Sequence, residues 1–183
     1  MDLEHAIHTR RTVHKYLTDA VAQEDLDKMM MAGHMAPCHK LTWPWRFIQV
    51  GPQTREKIVP VAIACKTVNR ERTPELEKAV RGKILTSGAL LVVTQVRSDD
   101  DFRSKEDYAA VSCAIQNMML VAHGLGLGAK WSTGGVTNHE DTYSVLDVDE
   151  ALEEIVGFVW VGKPAMVPNI KRPELDVVKR QLP

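Results

Sequence analysis

The chain has 183 residues, a length for one domain whose core can stand without disulfide staples. Its 23 basic and 24 acidic residues leave a formal charge of −1, and 44% of its residues are hydrophobic, so composition selects neither nucleic acid nor a membrane surface as partner. Cys38, Cys65 and Cys113 are too dispersed for a CxxC motif and odd in number, which fits reduced thiols in a cytoplasm, while MDLEHAIHTRR does not read as a secretory leader.

Leu3, Ala6 and Ile7 recur at helical spacing within 2–9, predicting a short amphipathic helix with Arg10 and Arg11 at its exit. A second helix is expected from Gln23 to about Met35, closed by Pro37, with a loop over 37–44. Phe47 to Val50 reads as a strand, and a helix follows from Gln53 toward Ala64. Residues 66–83 alternate charges with little apolar periodicity and read as a solvated, partly helical excursion that could serve as a lid.

Ala89 to Val96 is almost wholly apolar and predicts a central strand buried on both faces. The longest helix is expected from Lys105 to Gly124, with Ala109, Ser112, Cys113, Gln116, Met119, Leu120 and His123 as its packed stripe. A short strand at 129–131 leads into the turn Ser132, Thr133, Gly134, Gly135, and Ile155 to Val161 forms a last strand. Prolines at 164, 168 and 173 leave the final twenty residues extended. Helices and strands mix without a βαβ rhythm, so the class is α+β in a single domain, 1–183.

Several chemistries are disfavoured. The glycines of GLGLGAKW follow a helix and enter a strand, the reverse of the order a dinucleotide loop needs to meet a phosphate with free helix amides. His34, Cys38 and His39 lack a second ligand pair for zinc, and Asp99, Asp100 and Asp101 are explained by a solvated turn. The nucleophile motif GxSxG is absent. What remains is a basic, hydroxylated cluster, Arg10, Arg11, Thr12, His14 and Lys15, and a second basic site, Lys171 and Arg172. Both suit a phosphate, which guanidinium groups bind bidentately.

The helix followed by RRTVHKY resembles the RRSxRxF opening of the nitroreductase family. AGHMAPCHKLTWPWRFIQV is similar to that family's second motif, and KWSTGGV, EEIVGFVWVGKP and KRPELDVV match its later blocks in order. The resemblance implies a mostly antiparallel sheet flanked by helices, in an intertwined homodimer holding FMN at the subunit interface. It implies that Arg10, Arg11 and Thr12 take the phosphate and ribityl chain, with Lys171 or Arg172 as a further phosphate contact. Met35 and His39 would come from the partner, Trp131, Ser132 and Thr133 would line the flavin, and the Gly134 amide would face its N5. His14, standing where the family often has a second arginine, would stabilise the reduced ring. Trp43 stands where the family often has Gln.

No side chain is then needed as nucleophile, because the cofactor carries the hydride chemistry. The implied activity is ping-pong transfer from NADH or NADPH to small acceptors such as nitroaromatics or quinones. Other functions compatible with the resemblance are flavin storage without nicotinamide turnover, or another flavin chemistry such as dehalogenation.

Overall fold

The structure is a computed structural model that describes residues 2–182. It opens with helix α1, Leu3–Thr9, whose first turn is capped by the Asp2 carboxylate accepting from the His5 amide at 2.8 Å. Helix α2 spans Gln23–His34, and strand β1 spans Trp45–Gln49. Helix α3, Pro52–Thr67, and helix α4, Pro74–Leu85, follow as a pair. Strand β2 is Ala89–Val96, helix α5 is Asp101–Gly124, strand β3 is Gly128–Ser132, helix α6 is Glu140–Leu146 and strand β4 is Glu153–Gly162.

The four strands form one antiparallel sheet in the order β1-β2-β4-β3. Alternation along β2 divides the core: Ala89, Leu91 and Val93 pack with α2 and α5, whereas Leu90 and Val92 pack with α3 and α6. A sheet covered on both faces is what the almost wholly apolar run 89–96 predicts, and β2 occupies those residues at an interior position.

The segment 66–83 is solvated and partly helical, as expected: none of its residues is buried, α3 continues to Thr67, and α4 begins at Pro74, where the Thr73 hydroxyl accepts from the Leu76 amide at 3.3 Å and caps the helix. One expectation needs correction. In α5 the packed face is Ala110, Val111, Ala114, Ile115, Met118, Met119 and Ala122, about one residue around from the expected stripe, and only Met119 belongs to both. Ala109, Cys113 and Gln116 face outward. Both stripes are rich in small and apolar residues, so periodicity alone could not choose between them. The acidic run before α5 has a local use, since the Asp100 carboxylate accepts from the Arg103 amide at 3.0 Å and caps the helix.

After α1 the chain runs extended beside the sheet edge. Thr12 bridges Ala129 of β3 in parallel, the Val13 amide donates to the Ala129 carbonyl at 3.1 Å, and Tyr16 bridges Pro164 just beyond β4. These contacts fix the Arg10 to Thr12 segment against the strand that carries Trp131 and Ser132. Among the described residues no helix is long and apolar enough to cross a membrane.

Candidate functional site

The basic residues at the exit of α1 meet the tail. Arg10 is partly buried, and burial followed by the charges of Arg172 and Arg11 pushes its guanidinium pKa down. Its Nη1 is buried and has no hydrogen-bond partner. A buried donor of this kind, flanked by like charges, is unfavourable until an anion arrives. His123, at the end of α5, adjoins the same cluster: its Nε2 lies 2.8 Å from the Thr9 hydroxyl, and burial, then Arg10, disfavours its charged form. The sequence places His123 only in the packed stripe of this helix, and nothing in its helical spacing announces a position beside Arg10.

Arg11 behaves differently from Arg10. Its Nη1 donates to the carbonyls of His8 at 2.7 Å and Arg10 at 3.0 Å, closing the end of α1. Thr12 is held by its bridge to Ala129, and His14 and Lys15 follow it, both exposed. Of the two tail residues, Arg172 acts on Arg10, whereas Lys171 is simply exposed.

On β3, successive side chains point to opposite faces. Trp131 packs against the α5 side of the core, with its indole Nε1 donating to the Val156 carbonyl at 3.4 Å. Ser132 Oγ accepts from Trp160 Nε1 at 2.8 Å on the other face. The Trp131 ring lies against Gly157 of β4, where an added Cβ would come within 2.2 Å of Nε1 and 2.6 Å of Cδ1. Thr133 and Gly134 are exposed, and Gly134 adopts φ +127, a conformation L side chains rarely take. The turn is closed by Thr137, whose amide and hydroxyl donate to the Gly134 carbonyl at 2.9 and 2.8 Å.

A third group lies on the loop after α2. Met35 is 71% exposed at the end of that helix, and His39 Nε2 is 4.0 Å from the Glu106 carboxylate. Between them and β1, Lys40, Leu41 and Trp43 all have positive φ, near +54, +54 and +40. Non-glycine residues in this region store strain, which commonly marks a functional loop. The loop is secured by Thr42, whose hydroxyl donates to Asp107 at 2.6 Å.

One feature was not foreseen from the sequence. A cavity of about 160 Å³ lies between α3, α4 and the 132–137 turn, with Lys66 and Lys83 in its lining. Lys130 of β3 adjoins them, and burial, then the Lys83 and Lys66 charges, lowers its pKa to about 8. An unfolded chain keeps this lysine protonated up to about 10.5, so between the two values the unfolded state binds more protons. The burden on folding is full below pH 8 and lifts as pH rises toward 10.5. Lys130→Met is therefore expected to raise the melting temperature at pH 7, with a gain that shrinks by pH 10. Thermal melts across that range check it; a gain independent of pH would contradict the assignment.

Comparison with known proteins accords with this geometry. The model of the nitroreductase family matches residues 7–163, a span that holds the Arg10 segment, the strained loop and the Trp131 turn. YfhC of Bacillus subtilis, named provisionally as an NAD(P)H nitroreductase, is 28% identical over 174 residues, covering 93% of this chain and 88% of its own. The crystal structure of a nitroreductase-like family protein from Bacillus cereus superposes with a TM-score of 0.87 at 25% identity, covering 100% of this chain and 96% of that one. A provisionally named nitroreductase from Desulfovibrio desulfuricans, solved in complex with FMN, superposes with a TM-score of 0.78 at 23% identity over 100% of this chain and 99% of its own. The resemblance read from the motifs is borne out, and the chain belongs to the nitroreductase family.

Proposed function

We propose that the protein is an FMN-dependent oxidoreductase that carries electrons from NADH or NADPH to small acceptors such as nitroaromatics or quinones. The observation that carries this reading is the buried, unpartnered Nη1 of Arg10 beside the charges of Arg172 and Arg11. Three cations and an orphaned donor fit the dianionic phosphate of FMN, and guanidinium groups bind phosphate bidentately. When bound, FMN supplies a two-electron relay, taking a hydride from the nicotinamide and reducing a second substrate in a separate half-reaction.

The chain's own residues hold and bias that group. Arg10 is the principal phosphate ligand, with Arg172 or Lys171 closing from the tail. Arg11, whose Nη1 is committed to helix carbonyls, braces the segment and adds charge, and Thr12 offers a hydroxyl. Trp131, Ser132 and Thr133 would line the ring, and the Gly134 amide would be available to donate a hydrogen bond to it. His14 stabilises the negative charge of the reduced ring.

Met35 and His39 complete the site from a second copy. Several features support a homodimer: exposed Met31, Met35, Leu41 and Trp43 around the strained loop, and an outward stripe on α5. Exposed Met166, Val167, Ile170, Val177 and Val178 on the tail find no cover in their own chain and suit an arm exchanged between subunits.

His14→Gln is expected to lower the midpoint potential of the bound flavin by about 30 mV, equivalent to ~1.4 kcal/mol for two electrons. A redox titration reads this directly, and an unchanged potential removes His14 from the role. The overall reading is tested by steady-state NADH and NADPH oxidation with 4-nitrobenzoate or a benzoquinone as acceptor. Parallel double-reciprocal lines are expected for the ping-pong scheme. Flavin binding with no nucleotide oxidation by any acceptor would favour a storage protein instead.

A further inference from the structure

The cavity beside the 132–137 turn shares Ser132, Thr133 and Gly134 with the flavin assignment, but the rest of its lining has no part in that assignment. Its floor is apolar, built from Ile58, Ala62, Val80, Ile84, Phe158 and Trp160. At about 160 Å³ it has room for a single aromatic ring, since an apolar cavity of ~150 Å³ is enough to take benzene. Lys66 and Lys83 border it from α3 and α4. Lys130 is paired across the sheet with Trp160, a cavity wall, so its side chain shares that face, and the charges of Lys83 and Lys66 reach it.

None of the ion pairs among the described residues includes Lys66, Lys83 or Lys130. The acid whose charge reaches the cavity wall is Asp141, which acts on Cys65 but lies 3.7 Å from its own partner His139. Two ammonium groups thus border the apolar slot, and a third, that of Lys130, lies on the same face of the sheet within reach of their charges, none of the three in an ion pair. Such an arrangement is unfavourable alone and favourable around a carboxylate, whose charge offsets the mutual repulsion. Ser132 adds a neutral donor: its oxygen already accepts from Trp160, which leaves its own proton available.

We propose that this cavity is a subsite for a small aromatic acid, the ring resting on the apolar floor and the carboxylate held by Lys130 and Lys83 with Lys66 at the rim. The subsite is separate from the Arg10 cluster. Lys130 and Ser132 belong to the α3 face of the sheet, whereas Trp131 packs on the α5 face. The cavity is nevertheless lined by Ser132, Thr133 and Gly134, the turn assigned to the flavin ring. An acid bound there lies beside the redox centre, which makes aromatic carboxylates the favoured acceptor class. Only that last step rests on the proposed flavin chemistry; binding of the acid does not.

The test is calorimetric titration of the FMN-supplemented protein with benzoate, which cannot be reduced, and with benzamide as its neutral isostere. Benzoate is expected to bind at least tenfold more tightly than benzamide. Lys130→Met is expected to weaken benzoate about tenfold while leaving benzamide unchanged, and Lys83→Gln, at an exposed position, provides the same reading if the first variant folds poorly. Carbon-13 labelled lysine should show the Lys130 titration moving upward when benzoate is added. Equal binding of the two ligands, or benzoate affinity indifferent to both substitutions, would overturn the subsite. So would benzoate binding abolished by saturating FMN, because the lysines would then belong to the flavin. Reduction of 4-nitrobenzoate over its methyl ester, run in parallel, tests the flavin reading separately: benzoate selectivity without any nitro reduction leaves the subsite standing and removes the proposed reaction.

Discussion

Arg10→Ala is expected to weaken FMN binding about a hundredfold while leaving the flavin-free protein as stable as before or more so. The two signs come from one geometry. In the absence of an anion, Arg10 holds a buried donor without an acceptor next to Arg172 and Arg11, and removing it relieves both burdens. With phosphate present, the same guanidinium makes charge-assisted hydrogen bonds worth roughly 2–3 kcal/mol. Flavin fluorescence titration measures the first effect, and melting with and without FMN measures the second. A variant that melts lower without flavin yet binds it normally would assign Arg10 to the fold and not to the site.

Gly157→Ala carries the second large effect. Its Cβ would stand 2.2 Å from Trp131 Nε1 and 3.0 Å from the Ser132 carbonyl oxygen, so both the indole and the strand β3 backbone oppose it. Trp131 must leave its place against the core, and overpacking of this kind costs roughly 1–3 kcal/mol. In a domain of this size each kcal/mol lowers the melting temperature by roughly 2–4 °C. Because Trp131 and Ser132 are assigned to the flavin wall, FMN affinity should fall along with stability. Wild-type melting and unchanged flavin affinity in this variant would show that the Trp131 position is not set by Gly157.

Much of this architecture is legible in the residues. The run 89–93 is apolar on both alternations, which an interior strand between two helical layers satisfies, and β2 lies there. The doublet Arg10 and Arg11 at a helix exit carries its own phosphate logic, and the exit is found where the periodicity of Leu3, Ala6 and Ile7 ends. Arg172 is a different matter: 162 positions separate it from Arg10, and only the family motif suggested that the two would meet.

What periodicity could not resolve has physical causes. Small and apolar residues wrap most of α5, so Ala110 and Ala114 were indistinguishable from Ala109 and Cys113 until the sheet chose a face. Helix α4 is dominated by charges that hide its Thr73 cap and Pro74 start. Lys130 sits beside the conspicuous Trp131 without a motif of its own. Its pKa is lowered first by burial and then by the charges of residues 47 and 64 positions earlier, and no local pattern announces such a convergence.

The most direct test of the account is the visible spectrum of the protein supplied with FMN, recorded anaerobically before and after NADH, and separately NADPH. The account predicts bound flavin that bleaches with at least one nucleotide and regains its colour when a nitroaromatic or quinone is added. Protein that takes up no FMN would contradict it at the root, and bound flavin that neither nucleotide bleaches would contradict the proposed electron transfer.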